Sequence, residues 1–287
     1  MLHTVVKQSP AASLNWAEDR EQKRRNDNEV IETIIRRLKL GSLRANDGKP
    51  ITGITLPAHH ALWEQRFAEE LQPYQYTTEI TAIERDPEVL ERLRENAASL
   101  ETPGLTLKVP DTTMNVCQTL EAGTQEPVDF VYLDYMGTWG EDKKQDLRLL
   151  FTRGFLKPGS VIALTFSLKR GTGEALQELK KLAPNYPVRH ICIQAPGYNV
   201  LAGYRQAPKP NLKDGSRPPS PVTKAMRIHG IPHAVVNLAK EHGVSVSERY
   251  DIDAMEYSND ADEHQGPMAV FMFTVNSVSG VNPLQGF

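Results

Sequence analysis

Between residues 51 and 166, period-two apolar runs and helical periodicities take turns at a regular interval. No other feature of the chain constrains its fold as much. Residues 51–56, 79–84, 105–109, 128–133 and 160–166 read as strands, and residues 61–71, 87–100, 114–121 and 142–155 as helices. Strands separated by helical stretches of this length imply right-handed βαβ units and a parallel sheet. Pro87 falls at the first turn of its helix, where the missing N–H costs nothing.

The flanks differ from this core. Over residues 16–40, Val30, Ile31, Ile34, Ile35 and Leu38 recur at three- and four-residue steps, with Gly41 placed to end the helix. The Lys23-Arg24-Arg25 run in that helix reads as a solvated face, with phosphate contact as the alternative. Near the other end, residues 234–242 read as a helix capped by Gly243. Residues 244–257 and 268–275 read as two strands around a polar stretch, an antiparallel edge added to the sheet. Residues 185–230 carry seven prolines, which on this reading cannot sit inside regular elements, and seven basic residues against one acid. From residue 231 onward the balance reverses to two basic residues against eight acids. The chain therefore divides into an arm and helix (1–45), the alternating core (46–184), a basic proline-rich insertion (185–230) and a last helix with strands that complete the core (231–287).

Composition narrows the function classes. Thirty-three basic against 36 acidic residues in 287 give a net charge of −3, which excludes a wholly basic nucleic-acid-coating surface and leaves room for a local patch. The mean hydropathy of −0.45 and the lack of any apolar run near ~18 residues argue against a membrane span. Cys117 and Cys192 alone support neither a disulfide framework nor a four-cysteine zinc site. The first 25 residues lack the apolar run of a secretory signal, so a soluble, cytoplasmic protein is the expectation.

In an open parallel sheet the ligand crevice lies outside the carboxyl ends of the strands. Four such ends matter here: Leu56-Pro57-Ala58, Glu84-Arg85-Asp86, Pro110-Asp111-Thr112 and Asp134-Tyr135-Met136-Gly137. Three of them carry carboxylates, which repel a polyphosphate but suit the hydroxyls and amines of a nucleoside. Glu84 is placed to accept two hydrogen bonds from a ribose diol, whereas Asp86 before Pro87 reads as a helix N-cap. Asp111 and Thr112 would either read an adenine amino group or cap the following helix. Asp134 ends an apolar strand, where an unpaired charge is costly. Tyr135 next to it would either offer a ring to a planar substrate or belong to the core, and Gly137 permits a tight turn.

The remaining motifs are weaker. The loop after the first strand, Leu56-Pro57-Ala58-His59-His60, has none of the closely spaced glycines that let backbone approach a cofactor; its amides would have to face a carboxylate from a helix N-terminus. His60 and Glu64 have metal-ligand spacing but no third ligand, so no metal is expected. Neither a Gly-x-Ser-x-Gly elbow nor a phosphate-binding Gly-Lys-Ser/Thr loop is present. Lys169-Arg170-Gly171-Thr172-Gly173 has the content of a phosphate loop in the wrong order.

Taken in order, these segments resemble a class I S-adenosylmethionine-dependent methyltransferase over about residues 51–168 plus the terminal strand pair. Phe155-Leu-Lys-Pro-Gly159 is similar to that family's approach to its fifth strand. The resemblance implies an α/β, Rossmann-like sheet of seven mostly parallel strands with antiparallel last strands. Helices would cover both faces, with an extra helix at the N-terminus. It further implies S-adenosylmethionine held by Leu56, Pro57, Ala58, Glu84, Arg85, Asp111, Thr112 and Asp134. Asp134 and Tyr135 would be catalytic, Asp134 orienting an amine lone pair and Tyr135 stacking on a base.

Within the family, Asp134-Tyr-Met-Gly-Thr138 is most similar to the Asp-Pro-Tyr/Phe-Gly-Ser/Thr motif of tRNA guanine-N2 methyltransferases, without its proline. The implied reaction is N-methylation of a nucleic acid or nucleobase-like acceptor. Segment 185–230 would then clamp an RNA or DNA backbone, or simply pair as a solvated loop with the acidic C-terminal strands. The alternative function is a non-catalytic nucleoside- or protein-binding module that has lost its glycine loop.

Overall fold

The computed structural model describes residues 21–41, 46–122, 126–135, 137–168, 173–182, 189–192, 221–248, 252–258 and 267–279. Five strands succeed one another in the core: β1 (Ile51–Thr55), β2 (Thr78–Ala82), β3 (Leu105–Lys108), β4 (Val128–Asp134) and β5 (Leu156–Ser167). After them come β6 (Arg189–Cys192), β7 (Val244–Val246), β8 (Asp253–Ser258) and β9 (Pro267–Val278). The helices are α1 (Glu21–Arg37), α2 (Leu62–Leu71), α3 (Pro87–Ala98), α4 (Val116–Ala122), α5 (Glu141–Thr152), α6 (Gly173–Leu182) and α7 (Pro221–Glu241).

These strands form one sheet in the order β3-β2-β1-β4-β5-β9-β8-β6, with β7 paired to β9. The mixed, mostly parallel α/β architecture expected from the sequence is present, with two differences in detail. The described residues hold nine strands rather than seven. Of the last strands only β9 runs against the others: β5, β7 and β8 are each antiparallel to it, so β8 points the same way as β5.

Strand alternation sorts side chains onto two cores. On one face Phe130 and Tyr132 of β4 meet Val30, Ile31 and Ile34 of α1 and Trp63, Phe67 and Leu71 of α2. On the other face Val131 and Leu133 of the same strand meet Leu147, Leu150 and Phe151 of α5 and Ile231 and Val235 of α7. Gly53 of β1 lies opposite Phe130 in register, and a side chain there would collide with the Phe130 ring. The apolar stripe read from the N-terminal helix is thus a sheet-covering face, and Arg24 and Arg25 are exposed, as a solvated face requires.

At its other end α1 is fastened by charge. Arg37 Nε and Nη2 donate to Asp253 Oδ2 at 3.0 and 2.9 Å, Arg36 Nη2 donates to the same oxygen at 3.1 Å, and Arg37 Nη1 donates to Thr274 Oγ1 at 2.7 Å. Asp253 is buried at 2% exposure.

The proline-rich stretch contains more regular structure than its composition suggests. β6 lies inside it, and α7 starts at Pro221, well before the expected residue 234, continuing through Pro232. Pro221 stands at a first turn, where proline is tolerated. Gly230 lets α7 close on α6, since a Cβ there would come within 2.8 Å of the Leu179 carbonyl oxygen. Residues 193–220 of that stretch, the Lys169–Thr172 run and residues 16–20 lie outside the described residues.

Candidate active site

The carboxyl ends of β1, β2 and β4 open onto a cavity of about 860 Å³. β1 is flanked by β2, which leads outward to β3, and by β4, from which the sheet runs the other way. The cavity therefore sits where the strand order reverses, the place an open parallel sheet offers to ligands. This is a Rossmann-like α/β fold.

Leu56, Pro57 and Ala58 form the cavity edge after β1. The loop closes through a hydrogen bond from Ala61 N–H to Ala58 O at 3.0 Å, with Ala61 in the left-handed region at φ 50°. α2 begins only at Leu62, so the amides of residues 58–60 belong to this turn and not to a helix N-terminus. His59 is buried and His60 exposed. Burial pushes the His59 imidazole below its ordinary value, with neighbouring His60 and Arg92 adding to the effect. Among the described residues no three His, Cys, Asp or Glu side chains gather as metal ligands would.

Glu84 and Arg85 follow β2 and line the same cavity. Glu84 Oε1 accepts the backbone N–H groups of Arg85 and Asp86, both at 2.7 Å, which holds the carboxylate in place and leaves its second oxygen for a ligand. Burial raises its pKa and outweighs these two hydrogen bonds, which act the other way. Asp86 caps α3, its Oδ1 accepting from Glu88 N at 2.9 Å and Val89 N at 3.2 Å.

The third strand end departs from expectation. Asp111 and Thr112 are exposed and do not line the cavity. They do not cap α4 either. Asn115 does: its Oδ1 accepts from Gln118 N at 2.8 Å while Gln118 Oε1 accepts from Asn115 N at 3.0 Å, a reciprocal capping box. Met114, Asn115, Val116 and Cys117 supply the cavity wall in their place. A hydrogen bond from Met114 N to Glu84 O at 2.8 Å ties this wall to the β2 loop.

Asp134, the last residue of β4, is half-buried and lines the cavity with Tyr135. The chain then turns sharply, Tyr135 N donating to Leu133 O at 3.0 Å. Tyr135 is no free stacking platform: it is 6% exposed, its ring 5.6 Å from that of Phe166 and 5.4 Å from Lys143 Nζ. Of the two sequence readings for this ring, the core reading holds. Its hydroxyl donates to Asp146 Oδ2 at 3.0 Å, and burial pushes the Asp146 carboxyl up to about 6 against the pull of Tyr135 and Lys143. Gly137 O accepts from Ser167 N at 2.9 Å, tying this loop to the end of β5.

No family model matches the sequence, and no curated protein matches it. Among solved structures the chain is similar to an O-methyltransferase from Bacillus cereus in complex with SAH, with 13% identity and a TM-score of 0.45. That match covers 94% of this chain and 93% of the other. It is also similar to precorrin-6y C5,15-methyltransferase from Geobacter metallireducens GS-15, with 14% identity and a TM-score of 0.41 over 86% and 87% of the two chains.

Several lining residues escape a reading based on strand ends alone. Asp27, Trp63, Glu64, Arg66, Lys143 and Asp146 come from helices α1, α2 and α5. One signal was available. Asn26 and Asp27 stand one turn before Val30 and Ile31 on the buried stripe of α1, and Glu64 stands beside Trp63 on that of α2. A carboxylate on an apolar stripe needs a reason.

Proposed function

We propose that the protein is an S-adenosylmethionine-dependent methyltransferase whose cofactor occupies this cavity. One observation carries the reading: Glu84 and Asp134, from strand ends on either side of β1, line a single hollow of about 860 Å³. That volume lies within the ~300–1,000 Å³ range of small-molecule sites. The donor set also fits. Glu84, held by two amides, presents an oxygen to a ribose diol, and Ala58 leaves room beside the β1 end. The Met114–Cys117 wall supplies apolar surface for a purine.

The bound cofactor supplies an electrophilic methyl group on a sulfonium. The chain's part is positioning and electrostatics. Asp134 accepts a hydrogen bond from the acceptor nitrogen and orients its lone pair toward the methyl. Tyr135, locked by Asp146 and Phe166, fixes the turn that carries Asp134. The acceptor is an amine of nucleobase type. An RNA or DNA acceptor would be held by the basic residues of segment 185–230.

Titration calorimetry with S-adenosylhomocysteine tests the cofactor reading. Glu84→Ala should weaken binding by about 10- to 100-fold, the worth of one or two hydrogen bonds to a charged group. Asp134→Ala should lower single-turnover methyl transfer while leaving that affinity within a few-fold. No binding at millimolar ligand, or equal binding by the Glu84 variant, removes the reading. Tight binding without transfer to any acceptor favours a non-catalytic nucleoside-binding module.

A further inference from the structure

One wall of the cavity has a donor set that the strand ends lack. Arg66 of α2 lines it, and a guanidinium has five N–H donors. Nε donates to Leu62 O at 3.2 Å, Nη2 to Asp27 Oδ2 at 2.8 Å and Nη1 to Asn28 Oδ1 at 3.4 Å, so donors remain for a further acceptor. One turn earlier Trp63 lines the same wall at 7% exposure, and its indole N–H has no hydrogen-bond partner among the described residues. A buried donor left unmatched is costly, and an acceptor brought by a ligand removes that cost. Between them in sequence, Glu64 adds a carboxylate at 2% exposure.

Two donors of the kind that hold a carboxylate, one of them cationic, thus share a helical turn with a carboxylate able to face an ammonium. That combination matches an α-amino-acid zwitterion. A purely anionic ligand would be opposed by Glu64, and a purely cationic one would leave the Trp63 N–H and the remaining Arg66 donors unused. We infer that the α1–α2 wall is the subsite for the amino-acid end of the cofactor, with Arg66 and the Trp63 N–H on its carboxylate and Glu64 facing its ammonium. Asp27 of α1 acts as a positioning residue that fixes the guanidinium.

This assignment rests on the cofactor reading above. It also gives a physical reason why a β1–α2 loop without closely spaced glycines suffices. Side chains of α2 supply the charge complementarity that backbone amides supply in a glycine-rich turn.

The test compares two ligands that differ only at that end: S-adenosylhomocysteine, and 5′-methylthioadenosine, which keeps the thioether nucleoside and lacks the amino-acid group. Calorimetry on the full chain should show the first binding at least about 10-fold more tightly, as charge-assisted hydrogen bonds warrant. Arg66→Gln should remove most of that preference and leave methylthioadenosine binding unchanged. Trp63→Phe keeps a ring against Phe67 and should reduce the preference in part. Equal binding of the two ligands by the unmodified chain, or a preference undiminished by Arg66→Gln, overturns the subsite while the cofactor reading stands. If neither ligand binds, both fall.

Discussion

The Tyr135 hydroxyl donates to Asp146 Oδ2 across 3.0 Å, joining the turn after β4 to the middle of α5 at the cavity wall. The carboxyl receiving that bond has been raised by burial to about 6. Its folded value lies above the ~3.9 of an unfolded chain, so the folded state holds more protons between those two values. The stability it contributes is complete below about pH 4 and is lost as pH rises through about 6. Asp146→Asn keeps an acceptor for Tyr135 and removes the titration. The variant should therefore gain on the natural chain by on the order of 1–2 kcal/mol at pH 7.5, less than the full shift is worth because solvent screens this half-buried group, a difference that closes toward pH 4. Thermal melts between pH 4 and pH 8 measure it, and a pH-independent gap would refute the coupling.

Asp253 should be a severe site, although it is distant in sequence from every candidate site residue. Removing it takes away the carboxylate that faces the 11%-exposed Arg37 guanidinium and leaves that charge with neutral Thr274 as its remaining partner on these strands. Asp253→Ala should cost about 3 kcal/mol in urea denaturation, the penalty for breaking a buried pair. Adding Arg37→Met should recover part of that loss, because the buried charge goes with it. Additive losses would show that the pair is not the unit.

Gly230→Ala places a Cβ 2.8 Å from the Leu179 carbonyl oxygen, which belongs to helix backbone and cannot rotate away. Alanine is the better helix former, so propensity alone predicts a gain of about 1 kcal/mol. Overpacking of this kind costs about 1–3 kcal/mol. The net change should be destabilising or neutral, and a clear rise in melting temperature would show that α6 and α7 are not in such close contact.

Cys117 lines the cavity with its thiol 3.7 Å from Glu121 Oε1, and burial, then Glu121 and Asp146, hold its pKa above the ordinary value. Alkylation by iodoacetamide at pH 7 should be slow and should quicken toward pH 9 as thiolate forms. S-adenosylhomocysteine should suppress modification at Cys117, read by peptide mass spectrometry. Unchanged labelling at saturating ligand would place the ligand elsewhere.

The core beat from β1 to β5 was legible because each element has a period of its own and buries a full face. The strand assignments at 51–56 and 128–133 fall within a residue of β1 and β4. Where local chemistry and tertiary packing compete, the sequence alone misled. α7 runs through Pro232 because its buried face, including Ile228, Ile231 and Val235, gains more from packing than the proline costs. The strand-end rule brought Leu56, Pro57, Ala58, Glu84, Arg85 and Asp134 to one cavity, since strand direction fixes where those residues lie. It placed Asp111 and Thr112 there as well, although the chain after β3 passes outside the hollow and returns only at Met114. The helical contributions were invisible to it, because which turn of a helix overhangs a sheet end depends on how that helix docks.

α1 joins two distant parts of the molecule. Its C-terminal end is bolted to β8 and β9 through Arg37, and ten residues earlier, about 15 Å along a rigid rod, Asp27 grips Arg66. The helix behaves as a lever whose fulcrum is the apolar stripe between them. Any sequence change that lets its far end drift will also blur the wall against which a ligand would rest, so affinity and resistance to unfolding should decline together along this one element.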